Sequence, residues 1–191
     1  SSRADIFPSA LAVMKAVLSK FTFEKITISG CGLREGAMFR YAVPGVNERP
    51  LSDVLGHSLY TQMRYHDLNI DHAEHVYNLS IQLFKQLKVL HKMPRAYVRV
   101  LKIAALMHDS GMRIKFYNHQ LHSAYIILNS NLYGVPHKDI VVAAFVAAGH
   151  RKSENSREEI LKYKDMLNAE DVEAIKKLGV ILRIAESFDR S

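Results

Sequence analysis

The chain has 191 residues, 48% hydrophobic and 24% charged, with 26 Lys and Arg against 19 Asp and Glu, a formal net charge of +7. That balance describes one folded core with or without a smaller appendage, and no stretch approaches the roughly 20 apolar residues that span a bilayer. The single Cys31 excludes an internal disulfide and a CxxC zinc or redox pair, in keeping with a reducing, cytoplasmic setting. The first residues, SSRAD, carry neither a secretory pattern nor an initiator Met, which points to a start inside a longer protein. The basic residues are spread along the chain, which favours a folded anion-binding face over a disordered nucleic-acid arm.

In chain order, PSALAVMKAVLSKF from Pro8 to Phe21 has helical apolar spacing with Pro in the first turn, where it is tolerated. EKITIS, Glu24 to Ser29, alternates Ile26 and Ile28 with Lys25 and Thr27 and reads as the one convincing strand. Gly30 and Gly32 then turn the chain into a second helical segment from Leu33. A lone strand needs partners for its backbone groups. Residues 1–48 are therefore expected to be the end of an α/β domain whose other strands lie upstream. PGVNERP, Pro44 to Pro50, reads as the linker.

From residue 49 on, an all-α domain is expected, with helices near 51–65, 72–92, 95–109, 119–130, 136–149, 156–166 and 169–188. The second is the clearest, with Val76, Leu79, Leu83, Leu87 and Leu90 at helical intervals after Asp71, the expected N-cap. The Val141 to Ala148 run reads as core.

The chain holds ten histidines, and several fall at helix ends. His72 opens a helix, His108-Asp109 closes the next, His122 begins HSAYII, His150 follows an apolar run, and Glu186 and Asp189 end the last helix. Imidazoles and carboxylates from facing helices are a ligand set for Mn, Fe, Zn or Mg. An ion so held activates water and polarises a phosphoryl oxygen, which is the chemistry of metal-assisted phosphoester hydrolysis. His119 is a reserve ligand near His122. His57, His66, His75, His91 and His137 read as structural, His75 and His91 on exposed helix positions. Cys31 reads as a small filler in a Gly turn.

HxxxV at His72, HD at His108-Asp109, HSAYII at His122, GHRK at His150 and AESFDRS at the end resemble the HD-domain phosphohydrolase pattern. The resemblance implies His72, His108, Asp109 and Glu186 as metal ligands, with His122, His150 and Asp189 in reserve. At Glu186 that pattern usually has Asp, so the ligand arm here is one methylene longer.

RADIFPSALAVMKAVLSKF followed by EKITISGCGLREGAMF is similar to the end of the second actin-like (ribonuclease H-like) domain of the Ppx/GppA exopolyphosphatase and guanosine pentaphosphate phosphatase family. This implies a mainly α fold: residues 1–48 as a helix-strand-helix remnant of that domain, and 49–191 as an HD-like helical bundle. It also implies that the parent's Mg-dependent catalytic centre lies upstream. The helical domain would then contribute homodimer contacts and, through Arg151, Lys152, Arg113 and Lys115, polyphosphate or guanosine polyphosphate binding, with Arg34 of the GLREG segment as a further phosphate contact; neither membrane nor nucleic acid is an expected partner. The alternative is that the HD site is itself a metal-dependent phosphohydrolase on a nucleotide or phosphomonoester.

Overall fold

The computed structural model describes residues 4–21, 23, 32–42, 53–151 and 160–189. The chain divides into two compact units, Ser1–Pro50 and Leu51–Ser191. Every described segment of regular structure is helical, as the mainly α expectation requires.

In the first unit, α1 (Phe7–Lys20) starts with Pro8 in its first turn and has Lys20 in its last, where a cation suits the helix dipole. Its apolar residues Phe7, Leu11, Met14 and Val17, and Phe21 just beyond its end, are exposed. α2 (Leu33–Ala42) explains the GLREG sequence locally. The Gly32 N–H donates to Glu35 Oε2 at 2.8 Å, so the Glu reaches back over the first turn and satisfies a helix-end donor. The expected strand over 24–29 and Cys31 lie outside the described residues.

The second unit begins with α3 (Val54–Tyr65), whose cap Asp53 accepts from the Gly56 N–H at 2.8 Å. α4 (Ile70–Gln86) is capped by Asn69, which accepts from the His72 N–H at 3.1 Å. Asp71, the expected cap, instead lies inside the first turn, where a carboxylate favours the dipole. The expected helix 72–92 is two helices, because the chain breaks at Leu87 and resumes as the short α5 (Lys88–His91). α6 (Tyr97–Met107) ends before His108, and a single 3₁₀ turn, Ser110–Arg113, follows. α7 (His119–Asn129), α8 (His137–Ala148) and α9 (Ala169–Asp189) complete the unit. Of the expected helix 156–166, residues up to 159 lie outside the described residues, 160–161 are helical and 162–166 form turns.

α8 is the central rod. Every residue from Ile140 to Ala148 is buried, which an apolar run without a polar face requires. α6, α7 and α9 pack around it, and α4 closes the bundle against α6 and α9. Leu101, Ile103, Leu106, Met107, Ile127, Leu178 and Leu182 fill the centre, each fully buried aliphatic side chain contributing about 1.5–3 kcal/mol. The start of α9 is fixed by a reciprocal cap. The Asn168 N–H donates to Asp171 Oδ2 and the Asp171 N–H to Asn168 Oδ1, while Tyr97 Oη and Lys138 Nζ also donate to Asp171. The buried Asp171 is thus a structural acid.

Two close approaches set the geometry at the other ends of these helices. A Cβ on Gly111 would overlap the carbonyl oxygen of His119, so only glycine lets the 3₁₀ turn lie against the start of α7. Its N–H donates to Ser123 Oγ at 2.8 Å. Gly149 and Gly179 bring the end of α8 against α9, where Arg183 donates to the carbonyls of Gly149 (2.7 Å) and His150 (3.2 Å). Those carbonyls are the orphan acceptors of a helix end, and the guanidinium satisfies them.

Candidate metal centre

The start of α4, the end of α6, the start of α7 and the end of α8 bring His72, His108, Asp109, His119 and His150 together. Asp109 is the hub. Its Oδ2 lies 3.5 Å from both His72 Nε2 and His108 Nε2. Its Oδ1 lies 3.2 Å from His119 Nε2 and 3.9 Å from His150 Nε2. Within each half the imidazoles also meet. Nε2 atoms are 3.3 Å apart in the His72–His108 pair and 3.2 Å apart in the His119–His150 pair.

The tautomers follow from what lies behind each ring. A carbonyl oxygen only accepts, so a ring nitrogen facing one must carry the hydrogen. His108 Nδ1 donates to Ala105 O (2.8 Å), His119 Nδ1 to Phe116 O (2.9 Å) and His150 Nδ1 to Ala147 O (2.5 Å). In all three the acceptor is the residue three positions earlier. His72 Nδ1 donates to Asp189 Oδ2 at 2.5 Å. His108 and His150, kept neutral by burial, therefore point Nε2 lone pairs into the cluster, where a lone pair gains nothing from facing another acceptor.

A cation would suit this arrangement. Two ligand atoms each about 2.1 Å from one ion, at octahedral or tetrahedral angles, are about 3.0–3.4 Å apart. The two Nε2–Nε2 spacings and the Asp109 Oδ1–His119 spacing fall in that range, and the other three are longer. Asp109 Oδ1 is buried with no hydrogen-bond partner, an acceptor otherwise costly to leave unsatisfied. His72, His108 and Asp109 form one group able to hold an ion, and Asp109, His119 and His150 form another. Each offers two imidazole nitrogens and one carboxylate oxygen, a set that suits Zn, Fe or Mn better than Mg. The C-terminal ends of α6, α8 and α9 add negative dipole ends on the same side.

The titration state suits the purpose. Burial pushes His108 below its ordinary value, against the pull of Asp109, and burial with the neighbouring His108 carries His150 down to about 3. Burial alone would raise the Asp109 carboxyl, but His108, His150, His119 and His72 outweigh it and the carboxyl lies below its ordinary value. Near neutral pH the centre holds bare His108 and His150 nitrogens beside an ionised Asp109, the ligand-ready form.

Of the residues expected from the sequence, His72, His108, Asp109 and His150 converge. Glu186 stands one step back, with Oε2 3.8 Å from His150 Nε2 and Oε1 3.8 Å from the Arg151 guanidinium. It is not within either ligand group. Asp189 likewise serves as the holder of His72, with His75 Nε2 3.6 Å from its other oxygen. His122 is outside both groups, and His119, the first residue of α7, takes the position expected of it. His91 is not exposed as expected but buried, stacked on Phe84 and bonded to Phe84 O and the Met93 N–H. Arg113 pairs with Asp67 at 3.1 Å, Arg34 is exposed on α2 of the first unit, and Lys152 lies outside the described residues.

The profile of the family described as Ppx/GppA phosphatase, domain III, matches residues 57–191. The chain belongs to the Ppx/GppA phosphatase family. Over 135 residues it is 32% identical to the guanosine-5'-triphosphate,3'-diphosphate pyrophosphatase of Aeromonas salmonicida (strain A449). It is 31% identical over the same length to the protein of that name from Aeromonas hydrophila subsp. hydrophila. Each match covers 70% of this chain and 26% of the relative. The chain therefore spans about a quarter of the length of these Ppx/GppA relatives. The matched region contains every residue of the His/Asp centre. No described helix is long and apolar enough to cross a membrane.

Proposed function

We propose that the helical unit of this Ppx/GppA chain is a metal-dependent phosphohydrolase centre of the HD type, within the C-terminal part of a longer guanosine polyphosphate or polyphosphate phosphohydrolase. The observation that carries this reading is the two-sided carboxylate of Asp109, with a pair of inward-facing imidazoles on each oxygen. The relatives' names support guanosine polyphosphate as the parent's substrate.

A divalent cation would be held by His72, His108 and Asp109 on one side and by Asp109, His119 and His150 on the other, and would supply Lewis acidity to a phosphoryl group and acidify water. The chain's own residues do the rest. Three backbone carbonyls and Asp189 fix the four rings, so that no ligand has to reorganise when substrate arrives. Arg151, half-buried and 3.8 Å from Glu186, can turn its remaining N–H groups to a phosphate oxygen. Glu186, held in reach of Arg151 and His150, is placed to take a proton from a water entering the centre. The passage for long polyphosphate implied by the resemblance has less support, because Arg113 already faces Asp67. The homodimer contacts, cytoplasmic setting and actin-like identity of residues 1–48 belong to the parent-protein part of the proposal.

The test is elemental analysis of protein purified without chelator, together with hydrolysis of p-nitrophenyl phosphate and nucleoside phosphates. About two transition-metal ions per chain and metal-restored turnover are expected. Absence of stoichiometric metal after incubation with Mn, Fe or Zn would overturn the reading.

A further inference from the structure

The segment between the 3₁₀ turn and α7 reads MRIKFYN, Met112 to Asn118, and interleaves apolar or aromatic residues with Arg113 and Lys115. Ile114, Phe116 and Tyr117 are all exposed, Phe116 at 59% and Tyr117 at 74%. Exposed aromatic residues are not unusual by themselves, and what distinguishes these two is that they adjoin each other and a residue of the His/Asp centre. Asn118, in the left-handed region at φ 59°, ends the segment and sets the entry to α7.

The position of these rings is what makes them informative. Phe116 supplies the carbonyl that fixes the His119 tautomer, and its ring centroid lies 6.0 Å from that of His119. The Arg151 guanidinium lies 6.0 Å from the Phe116 centroid on a cation–π approach. Tyr117 stands 5.8 Å from Phe116 at 83°, so the two rings make a corner, one offering its face and the other its edge. The corner thus adjoins one ligand of the proposed centre, with a cation able to meet phosphate beside it.

We propose that Phe116 and Tyr117 form a nucleobase platform at the rim of the His/Asp centre, and that the ligand it selects is a mononucleotide. The proposal rests on the reading of that centre as a phosphate-processing site and names its substrate class. A planar heterocycle laid on Phe116 would have its ribose and phosphate on the side of Arg151 and His119. Inorganic polyphosphate or a simple sugar phosphate gains nothing from the rings. One corner with one adjoining guanidinium matches a single base, whereas a nucleic-acid strand is held by repeated platforms along a basic groove.

The test uses the whole chain loaded with Mn and titrated calorimetrically with adenosine or guanosine monophosphate, ribose 5-phosphate and a short single-stranded oligonucleotide. Either mononucleotide is expected to bind roughly 5- to 100-fold more tightly than ribose 5-phosphate, the range of one base–aromatic stack. Phe116→Ala should abolish that preference while metal content and the circular dichroism spectrum stay unchanged, and Phe116→Tyr should restore it. Equal affinity of the wild type for nucleotide and ribose 5-phosphate would overturn the platform, as would an equal loss for both in Phe116→Ala. Tighter binding of the oligonucleotide than of either mononucleotide would overturn the ligand class. Metal content, measured on the same samples, reports separately on the centre. A base preference without bound metal would sink the phosphohydrolase reading and leave the platform standing.

Discussion

The two halves of the His/Asp centre share Asp109 but hold their histidines differently. On the Oδ1 side, His119 and His150 are fully enclosed, and each is fixed by a carbonyl three residues earlier in its own chain segment. On the Oδ2 side, His108 is held in the same way, but His72 is 21% exposed and fixed by Asp189, a carboxylate from the last turn of α9 and 117 residues away. One half is organised by local backbone geometry as soon as its helices form. The other needs α4 and α9 packed together before His72 has an orientation. The enclosed half should therefore bind its ion tightly and exchange it slowly, and the open half should respond to anything that shifts the end of α9.

That contrast breaks most completely at the shared residue. Asp109→Asn removes the charge that serves both sides, and elemental analysis should show both ions lost, with phosphatase turnover falling well beyond the about 10- to 100-fold typical of an outer-shell change. His150→Ala and His72→Ala should separate the halves. The first should lose the Oδ1-side ion and, because it empties a fully buried site, lower stability by about 2–4 kcal/mol in urea unfolding. The second should lose only the Oδ2-side ion with less than about 1 kcal/mol of destabilisation.

Asp189→Asn is a subtler probe of the same asymmetry. Affinity at the Oδ2 side should fall about 10- to 100-fold in a competitive chelator titration, with the Oδ1 side unchanged. If both sides weakened equally, the division into a local and a long-range half would be wrong.

The metal-free protein should also show pH dependence. Folded His150 stays neutral down to about 3, whereas an unfolded imidazole takes up its proton near 6.5. Between those values the unfolded state binds more protons, so stability is complete above about 6.5 and declines as pH falls toward 3. Urea midpoints of chelated protein at pH 5 and 7.5 should show the lower value at pH 5. His122→Ala, outside both groups, should change metal content least of all.

How legible these parts were in the sequence depends on the range of the physics. That His72, His108 and Asp109 would come together was legible less from the His-Asp pair, which alone reads as a structural polar pair, than from its spacing to the other helix-end histidines and the HD-type pattern they make. α8 was readable because nine consecutive buried residues leave no polar face. The choice of His119 over His122 was not readable. It is decided by the fit of Gly111 against the His119 carbonyl and by the Asn118 backbone, contacts between turns that no periodicity encodes. The roles of Glu186 and Asp189 were hidden for a related reason. Which of two acids three residues apart reaches a ring depends on where α9 ends relative to α4. The break at Leu87 and the shift of the α4 cap from Asp71 to Asn69 are similar local outcomes.

The carbonyls behind His108 and His150 have a consequence for the thermodynamics of loading. With burial keeping both imidazoles neutral and Asp109 already ionised, these three ligands have no proton to surrender at neutral pH when an ion arrives. Their share of the binding heat should be the same in phosphate, HEPES and Tris buffers despite the different ionisation enthalpies of those buffers. The fold keeps the proton on Nδ1, so at Nε2 of His108 and His150 no proton would compete with an arriving ion.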